Sequence, residues 1–241
     1  MQWSGRLVDI PVLSEDECAH VVARIDELRS RWVMRGSKRL NTLGRATYLD
    51  VPRGEAAPGA NMIKLVSDNY MLMENFGPIY SRVTDVLSGV LRADANLTKD
   101  FALPGFHIFE GEGLLGAPQA PPHFDMQYRL LNWAADADEA EPISFTLALE
   151  IPAAGAGLTV WSDTPARVEE RFRAGELRSM NEYTEVIGPG RFHPYALGQI
   201  TVHMDRILHR VGGISDVHPS DRRITLQGHG RKLDGAWRLY W

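Results

Sequence analysis

The sequence holds a single cysteine, Cys18, in 241 residues. An internal disulfide is therefore excluded, and a reducing cytoplasm is the expected location. No apolar run approaches membrane-spanning length. The first ten residues, with no basic segment leading into an apolar stretch, lack the pattern of a signal peptide. Basic charge is not in excess either. Lys and Arg number 26 against 31 Asp and Glu, a formal net charge of −5, whereas a nucleic-acid surface needs a basic face. Neither nucleic acid nor a membrane is expected as a partner. Repeats, low-complexity tracts and linkers are missing too. Residues 1–241 are accordingly expected to form one domain, of a length at which one core is ordinary. Nothing in the sequence bears on oligomeric state.

What is present divides into a helical front and a strand-rich back. Ser14, Glu15, Asp16 and Glu17 fit a capping box, in which the Ser hydroxyl accepts from the third helical N–H and Glu17 reaches back. A helix is predicted from there to about residue 33, with Cys18, Val21, Val22, Ile25 and Leu28 at helical spacing. Residues 34–58 mix charges, Gly and Pro without a period. They read as a long loop, with a short strand over 46–49, and such loops are often lids. A second helix is predicted over 70–91, broken near Gly77 and Pro78, with a buried stripe of Leu72, Phe76, Ile79, Val83, Val86 and Val90. After residue 105, short β-rich runs follow at 106–109, 123–127, 143–151, 158–161, 185–187, 199–204, 207–211, 223–229 and 236–241. This pattern predicts a sandwich or barrel. Residues 165–180 interrupt it as a polar helical insert.

One triplet carries chemistry. On a strand, His123 and Asp125 project from one face and Phe124 from the other. Pro121 and Pro122 set this pair at a strand entrance. Two histidines and one carboxylate on one side of an iron leave three coordination positions open, which suits oxygen chemistry. The second histidine must come from another strand, and His209 lies on a predicted late one. Each feature alone is weak, because His-x-Asp is common by chance and the chain has eight histidines. The next strand adds weight. Ile224 and Leu226 share one face, to be packed against helices or a second sheet, while Arg223, Thr225 and Gln227 share the other. A guanidinium facing into a β sandwich is costly unless an anion meets it, and its planar fork suits a carboxylate.

His-x-Asp, a distal His in a His-Arg-Val-Gly context and Arg-x-Thr on the next strand together resemble the iron(II)/2-oxoglutarate-dependent oxygenases, over residues 105–229. The resemblance implies a mainly β fold with flanking helices (α+β): a double-stranded β-helix, the cupin-like jelly roll. Residues 1–102 would supply helical support and the lid loop, and 103–241 the jelly-roll core. It implies His123, Asp125 and His209 as ligands of Fe(II), Arg223 and Thr225 as the binders of the distal carboxylate of 2-oxoglutarate, and O2 as the oxidant. The halogenating branch lacks the carboxylate ligand, so Asp125 favours hydroxylation or a related oxidation with release of succinate and CO2.

Alternatives stay open at this level. His203 is a second candidate for the distal ligand, although family members often carry an apolar or aromatic residue there. Arg222 shares the face of Ile224 and is expected to be exposed, as is His218 in its turn. His193 and His229 carry no usable signal. Candidates for substrate contact are Gln127, Arg129, Trp161 and His107. Arg129 and Arg210 are candidates to pair a substrate carboxylate, against plain surface charge. Lid candidates are the loop after residue 35 and the polar stretch 132–142. A small molecule such as an amino acid or a secondary-metabolite intermediate is the expected substrate. A protein side-chain hydroxylase and a non-catalytic cupin-like binding module are the competing readings.

Overall fold

Ser14 caps the first helix as its motif requires. Its hydroxyl accepts from the Glu17 N–H at 3.2 Å, and the Glu17 carboxylate accepts from the Ser14 N–H at 2.8 Å, an arrangement worth about 1 kcal/mol. The computed structural model describes residues 7–35, 40–50, 60–114, 121–131, 133, 142–204, 206–212 and 217–241. In chain order the elements are β1 (Leu7–Pro11), α1 (Glu15–Glu27), β2 (Val33–Arg35), β3 (Leu40–Leu43), α2 (Thr47–Asp50), α3 (Ala60–Leu91), β4 (Ala95–Leu97), β5 (Gly105–Glu110), β6 (Ile143–Glu150), β7 (Gly157–Trp161), α4 (Pro165–Arg173), α5 (Tyr183–Ile187), β8 (Arg191–Pro194), β9 (Gln199–His203), β10 (Leu208–Val211), β11 (Arg222–Leu233) and β12 (Ala236–Tyr240). Among them no helix is long and apolar enough to cross a membrane.

The described strands form two sheets. The larger runs β1-β9-β6-β11-β5-β3-β2, with β12 pairing both β11 and β4; the smaller is β10-β7-β8. Every pairing is antiparallel except β12 with β4. One face of the larger sheet carries the main core. Ile25 of α1 and Leu72, Phe76, Val83 and Leu87 of α3 bury against Phe106, Ile108, Leu147, Val202, Ile224 and Leu226. Each such side chain contributes about 1.5–3 kcal/mol of burial free energy. The other face looks toward the smaller sheet, where Ala148 of β6 packs with Leu158 and Val160 of β7. This is the double-stranded β-helix, with α1 and α3 as its outer support.

Several local expectations need correction. Helix α3 begins at Ala60 and runs unbroken through Pro78. Proline there forfeits one backbone bond, and the apolar stripe continues on both sides of it. The loop expected over 34–58 contains the β2–β3 hairpin. The strand expected over 46–49 is instead helical: the Asp50 carboxylate folds back to accept the Ala46 N–H at 2.9 Å and pairs with Arg35. Residues 36–39 and 51–59 of that lid candidate lie outside the described residues, as do 132 and 134–141 of the other. The strand expected over 185–187 is α5, which seats Tyr183 in a small core with Trp161 and Leu208 and stops at Gly188, φ +107°. Strand β11 extends to Leu233, and β1, β4 and β8 have no counterpart in the pattern reading.

Candidate metal centre

Residues 123–127 do not form the expected strand. Pro121 and Pro122 remove two N–H donors, so no ladder extends upstream of His123, and beyond Met126 the chain turns into a 3-10 helix, Gln127–Leu130. Only His123 pairs. Its N–H donates to the His209 carbonyl at 2.8 Å, and the His209 N–H donates back at 3.0 Å. The two imidazoles are thus tied together through their own backbones, with ring centroids 4.6 Å apart. Asp125 follows two residues on, while Phe124 turns away into the core around Trp161 and Tyr183.

His123, Asp125 and His209 each present a ligand atom within 4.8 Å of the other two. The Asp125 carboxylate spans the gap, its Oδ1 3.8 Å from His123 Nε2 and its Oδ2 3.6 Å from His209 Nε2. In both histidines Nδ1 meets a backbone carbonyl two residues upstream: Pro121 O at 2.8 Å from His123 and Ile207 O at 2.9 Å from His209. A carbonyl can only accept, so both Nδ1 atoms carry the proton and both Nε2 lone pairs face the carboxylate. This outer support fixes the tautomer a metal ligand needs. Burial lowers the proton affinity of His209, with Asp125 opposing, which keeps the ring in its metal-binding form. Burial alone would raise Asp125, but His209, His229, His123 and His203 hold it well below the usual carboxylate range. Its Oδ1 also accepts from Gln127 Nε2 at 3.1 Å.

The alternative ligand, His203, is not part of that trio. It sits behind His209, ring centroids 5.0 Å apart. Burial pushes its proton affinity down to a pKa of about 3. Neither ring nitrogen has a hydrogen-bond partner among the described residues.

The predicted faces of β11 hold. Ile224 and Leu226 join the outer core, and Arg222 beside them, expected to be exposed, is half-buried and pairs with Asp26 at 2.6 Å and Glu150 at 2.7 Å. Arg223 and Thr225 face inward and are 2 % and 1 % exposed. The Arg223 guanidinium lies 4.2 Å from the Phe109 ring centre and donates to the Gly212 carbonyl at 3.3 Å. Burial lowers its pKa to about 10. The Thr225 hydroxyl is buried without a hydrogen-bond partner among the described residues. Tyr195 packs on Ala148, the residue opposite Thr225 on β6. Its hydroxyl sits beside Thr146 without a well-formed hydrogen bond, and burial raises its pKa to about 12.

The substrate candidates separate. Gln127 contacts Asp125 directly. His107 lies opposite Thr225 on β5, with its ring 5.1 Å from that of Trp241. Burial, then Arg223, lowers its pKa to about 3. Arg129 is exposed and rests on Tyr128. Trp161 does not wall the metal site. Across the β7–β10 ladder Val160 pairs with His209 and Trp161 with Leu208, so alternation turns Trp161 outward. There it borders a separate cavity of about 730 Å³ with Tyr183 and Asp163. Arg210 shares that outer face, 5.6 Å from the Trp161 ring. Conversely, His229 belongs to the inward face. Its Nδ1 is 3.0 Å from Ser144 Oγ, and burial lowers its pKa with Asp125 opposing. Extending the alternation Arg223, Thr225, Gln227 by one step reaches it.

No protein-family model matches the sequence, and no curated protein matches it in sequence. Solved structures do match in shape. An N-substituted L-amino acid dioxygenase from Burkholderia ambifaria AMMD, in complex with alpha-ketoglutarate, superposes over 98% of this chain and 86% of its own, at 15% identity and a TM-score of 0.53. HygX from Streptomyces hygroscopicus, with nickel and 2-oxoglutarate bound, matches over 94% and 83%, at 15% identity and a TM-score of 0.50. HygX holding hygromycin B as well matches over the same shares at 14% identity, with a TM-score of 0.50. At such identities the likeness is one of backbone architecture, and by that architecture the chain has the double-stranded β-helix fold of the 2-oxoglutarate-dependent oxygenases.

Proposed function

We propose that the protein is a non-heme iron(II)- and 2-oxoglutarate-dependent dioxygenase that oxidises a small molecule, hydroxylation being the default outcome. One observation carries the reading: two imidazoles with their Nε2 lone pairs aimed at a carboxylate, all three ligand atoms within 4.8 Å of one another. Two histidines and one carboxylate on one side suit iron(II) and leave room for further ligands. The remaining residues fit the co-substrate. A buried guanidinium at Arg223, with the buried hydroxyls of Thr225 and Tyr195 near it, supplies charge and donors for a carboxylate, and a buried hydroxyl without a partner among the described residues, as at Thr225, is costly until something accepts from it. His123, Asp125 and His209 would hold the metal, and Arg223 and Thr225 the far carboxylate of 2-oxoglutarate. When bound, iron, 2-oxoglutarate and O2 together supply the oxidising power, with succinate and CO2 released.

The chain's own part is orientation and exclusion of water. The Pro121 and Ile207 carbonyls hold the imidazoles in one tautomer, and Gln127 holds Asp125. The apolar wall of Ala148, Leu158 and Val160 would help to exclude water from the interior. Ligands bound by the neighbours, such as hygromycin B in HygX, favour a small molecule over a protein side chain. Succinate formation from 2-oxoglutarate by the purified protein with Fe(II) and O2 tests the reading. Turnover above background in wild type, lost in His209→Ala, is expected; equal rates in the two proteins contradict it.

A further inference from the structure

The inward face of β11 continues past the metal centre. After Arg223, Thr225, Gln227 and His229 comes Arg231, about 7 Å beyond His229 along the strand. Its guanidinium lies 5.2 Å from the ring centre of Tyr128 and 5.5 Å from that of Trp133. Those rings are held in place. Trp133 donates its indole N–H to the Tyr128 carbonyl at 2.8 Å and packs 5.0 Å from Tyr240, whose ring in turn meets His229 at 5.6 Å. Tyr128 belongs to the 3-10 turn that follows Asp125. Arg231 therefore stands against the turn that follows Asp125, in an aromatic setting that fixes its orientation.

Several half-buried arginines elsewhere are met by carboxylates, Arg35 by Asp50, Arg171 by Asp163 and Arg222 by Asp26 and Glu150, and Arg210 donates to the Thr184 hydroxyl at 3.0 Å. Arg231 has no hydrogen bond or ion pair among the described residues. Directly opposite it in the β11–β12 ladder stands a second cation, Arg238, and like charges in opposed positions are unfavourable. A guanidinium resting on rings keeps its N–H edges for a planar, bidentate anion.

We infer that Arg231 anchors an oxyanion, carboxylate or phosphate, carried by the substrate, whose apolar body lies against Tyr128, Trp133 and Tyr240 on the way to the metal. The inference rests on the proposed iron and 2-oxoglutarate site and adds the substrate's chemical class. Arg223 and Arg231, on one strand face, then select two different anions, the co-substrate at the closed end and the substrate at the other.

Calorimetric binding to the protein loaded anaerobically with Fe(II) and 2-oxoglutarate tests it. The probes are arylalkyl carboxylates, the corresponding phosphate monoesters and the matched neutral amides. Wild type should prefer one oxyanion series over the amides by about tenfold or more, and the preferred series identifies the anion. Arg231→Gln should remove the preference, and Arg231→Lys, which keeps the charge without the fork, should retain part of it. Amides binding as well as both oxyanion series, or an undiminished preference in Arg231→Gln, would overturn the inference. 2-Oxoglutarate binding to the Fe(II)-loaded protein separates the two levels. Its failure overturns the metal-centre reading and this inference with it, whereas binding without discrimination among the probes overturns this inference alone.

Discussion

The two faces of β11 are buried alike and built from opposite chemistry. Ile224 and Leu226 on one side are fully buried in the helix-covered core; Arg223 and Thr225 on the other are 2 % and 1 % exposed. On the outer face burial itself is the stabilising term. On the inner face it opposes stability, since it depresses the proton affinity of Arg223 and leaves the Thr225 hydroxyl unpartnered among the described residues. One strand thus separates what holds the fold from what the fold holds. Under the proposed function, the buried polar side chains of the inner face are where the co-substrate binds.

Substitutions on the two faces should therefore move different measurements. Arg223→Gln should weaken 2-oxoglutarate binding by about 2–5 kcal/mol, the scale for removing one partner of a buried charged pair, whereas Arg222→Gln, on the ion-paired outer side, should leave that affinity unchanged. Leu226→Ala should cost about 2–5 kcal/mol in chemical denaturation, with no selective loss of 2-oxoglutarate affinity in the protein that remains folded. If the effects of Arg223 and Arg222 are exchanged, the inward-facing register of β11 is off by one residue.

Thr225→Val sharpens the contrast within one side chain. Replacing a buried hydroxyl that has no partner among the described residues with a methyl should raise the stability of the metal-free protein by about 1 kcal/mol, while weakening 2-oxoglutarate binding by a similar amount. A variant that loses stability and keeps affinity would show that the Thr225 hydroxyl supports the fold and not the co-substrate. The smallest effect near neutral pH concerns His107. Its folded pKa of about 3 lies below the ordinary 6.5, so the unfolded chain takes up the proton first. Its contribution to stability is complete above pH 6.5 and declines as pH falls toward 3. His107→Phe should flatten the acid limb of a stability–pH profile; an unchanged limb would show that His107 is not buried as a neutral ring.

The inner side of β11 is legible in the sequence because alternation on a regular strand is a local rule. So is the capping box at Ser14, whose two hydrogen bonds link residues three apart. The three candidate metal ligands converge by a different route from the one their spacing suggests. His123 and Asp125 meet His209 through a two-residue bridge after Pro121 and Pro122, not along a strand, and no local period reveals a contact made across the molecule. The tautomer-fixing carbonyls of Pro121 and Ile207 are hidden because backbone acceptors have no sequence signature. Trp161 points away from the metal centre because its side of β7 depends on the β10 register. Arg231 escapes pattern reading because the expected strand stops at residue 229, short of where β11 ends, whereas His229 lies inside that run, one step beyond Gln227 on the same face.

His123, Asp125 and His209 are proposed to hold iron to which 2-oxoglutarate binds. An anaerobic titration of the metal-free protein with Fe(II) and then 2-oxoglutarate, followed by visible absorption, tests it most directly. A weak charge-transfer band that saturates with stoichiometric iron, vanishes in His209→Ala and survives in His203→Ala is the predicted result. No band in the wild-type protein, or a band lost in His203→Ala and kept in His209→Ala, would contradict it.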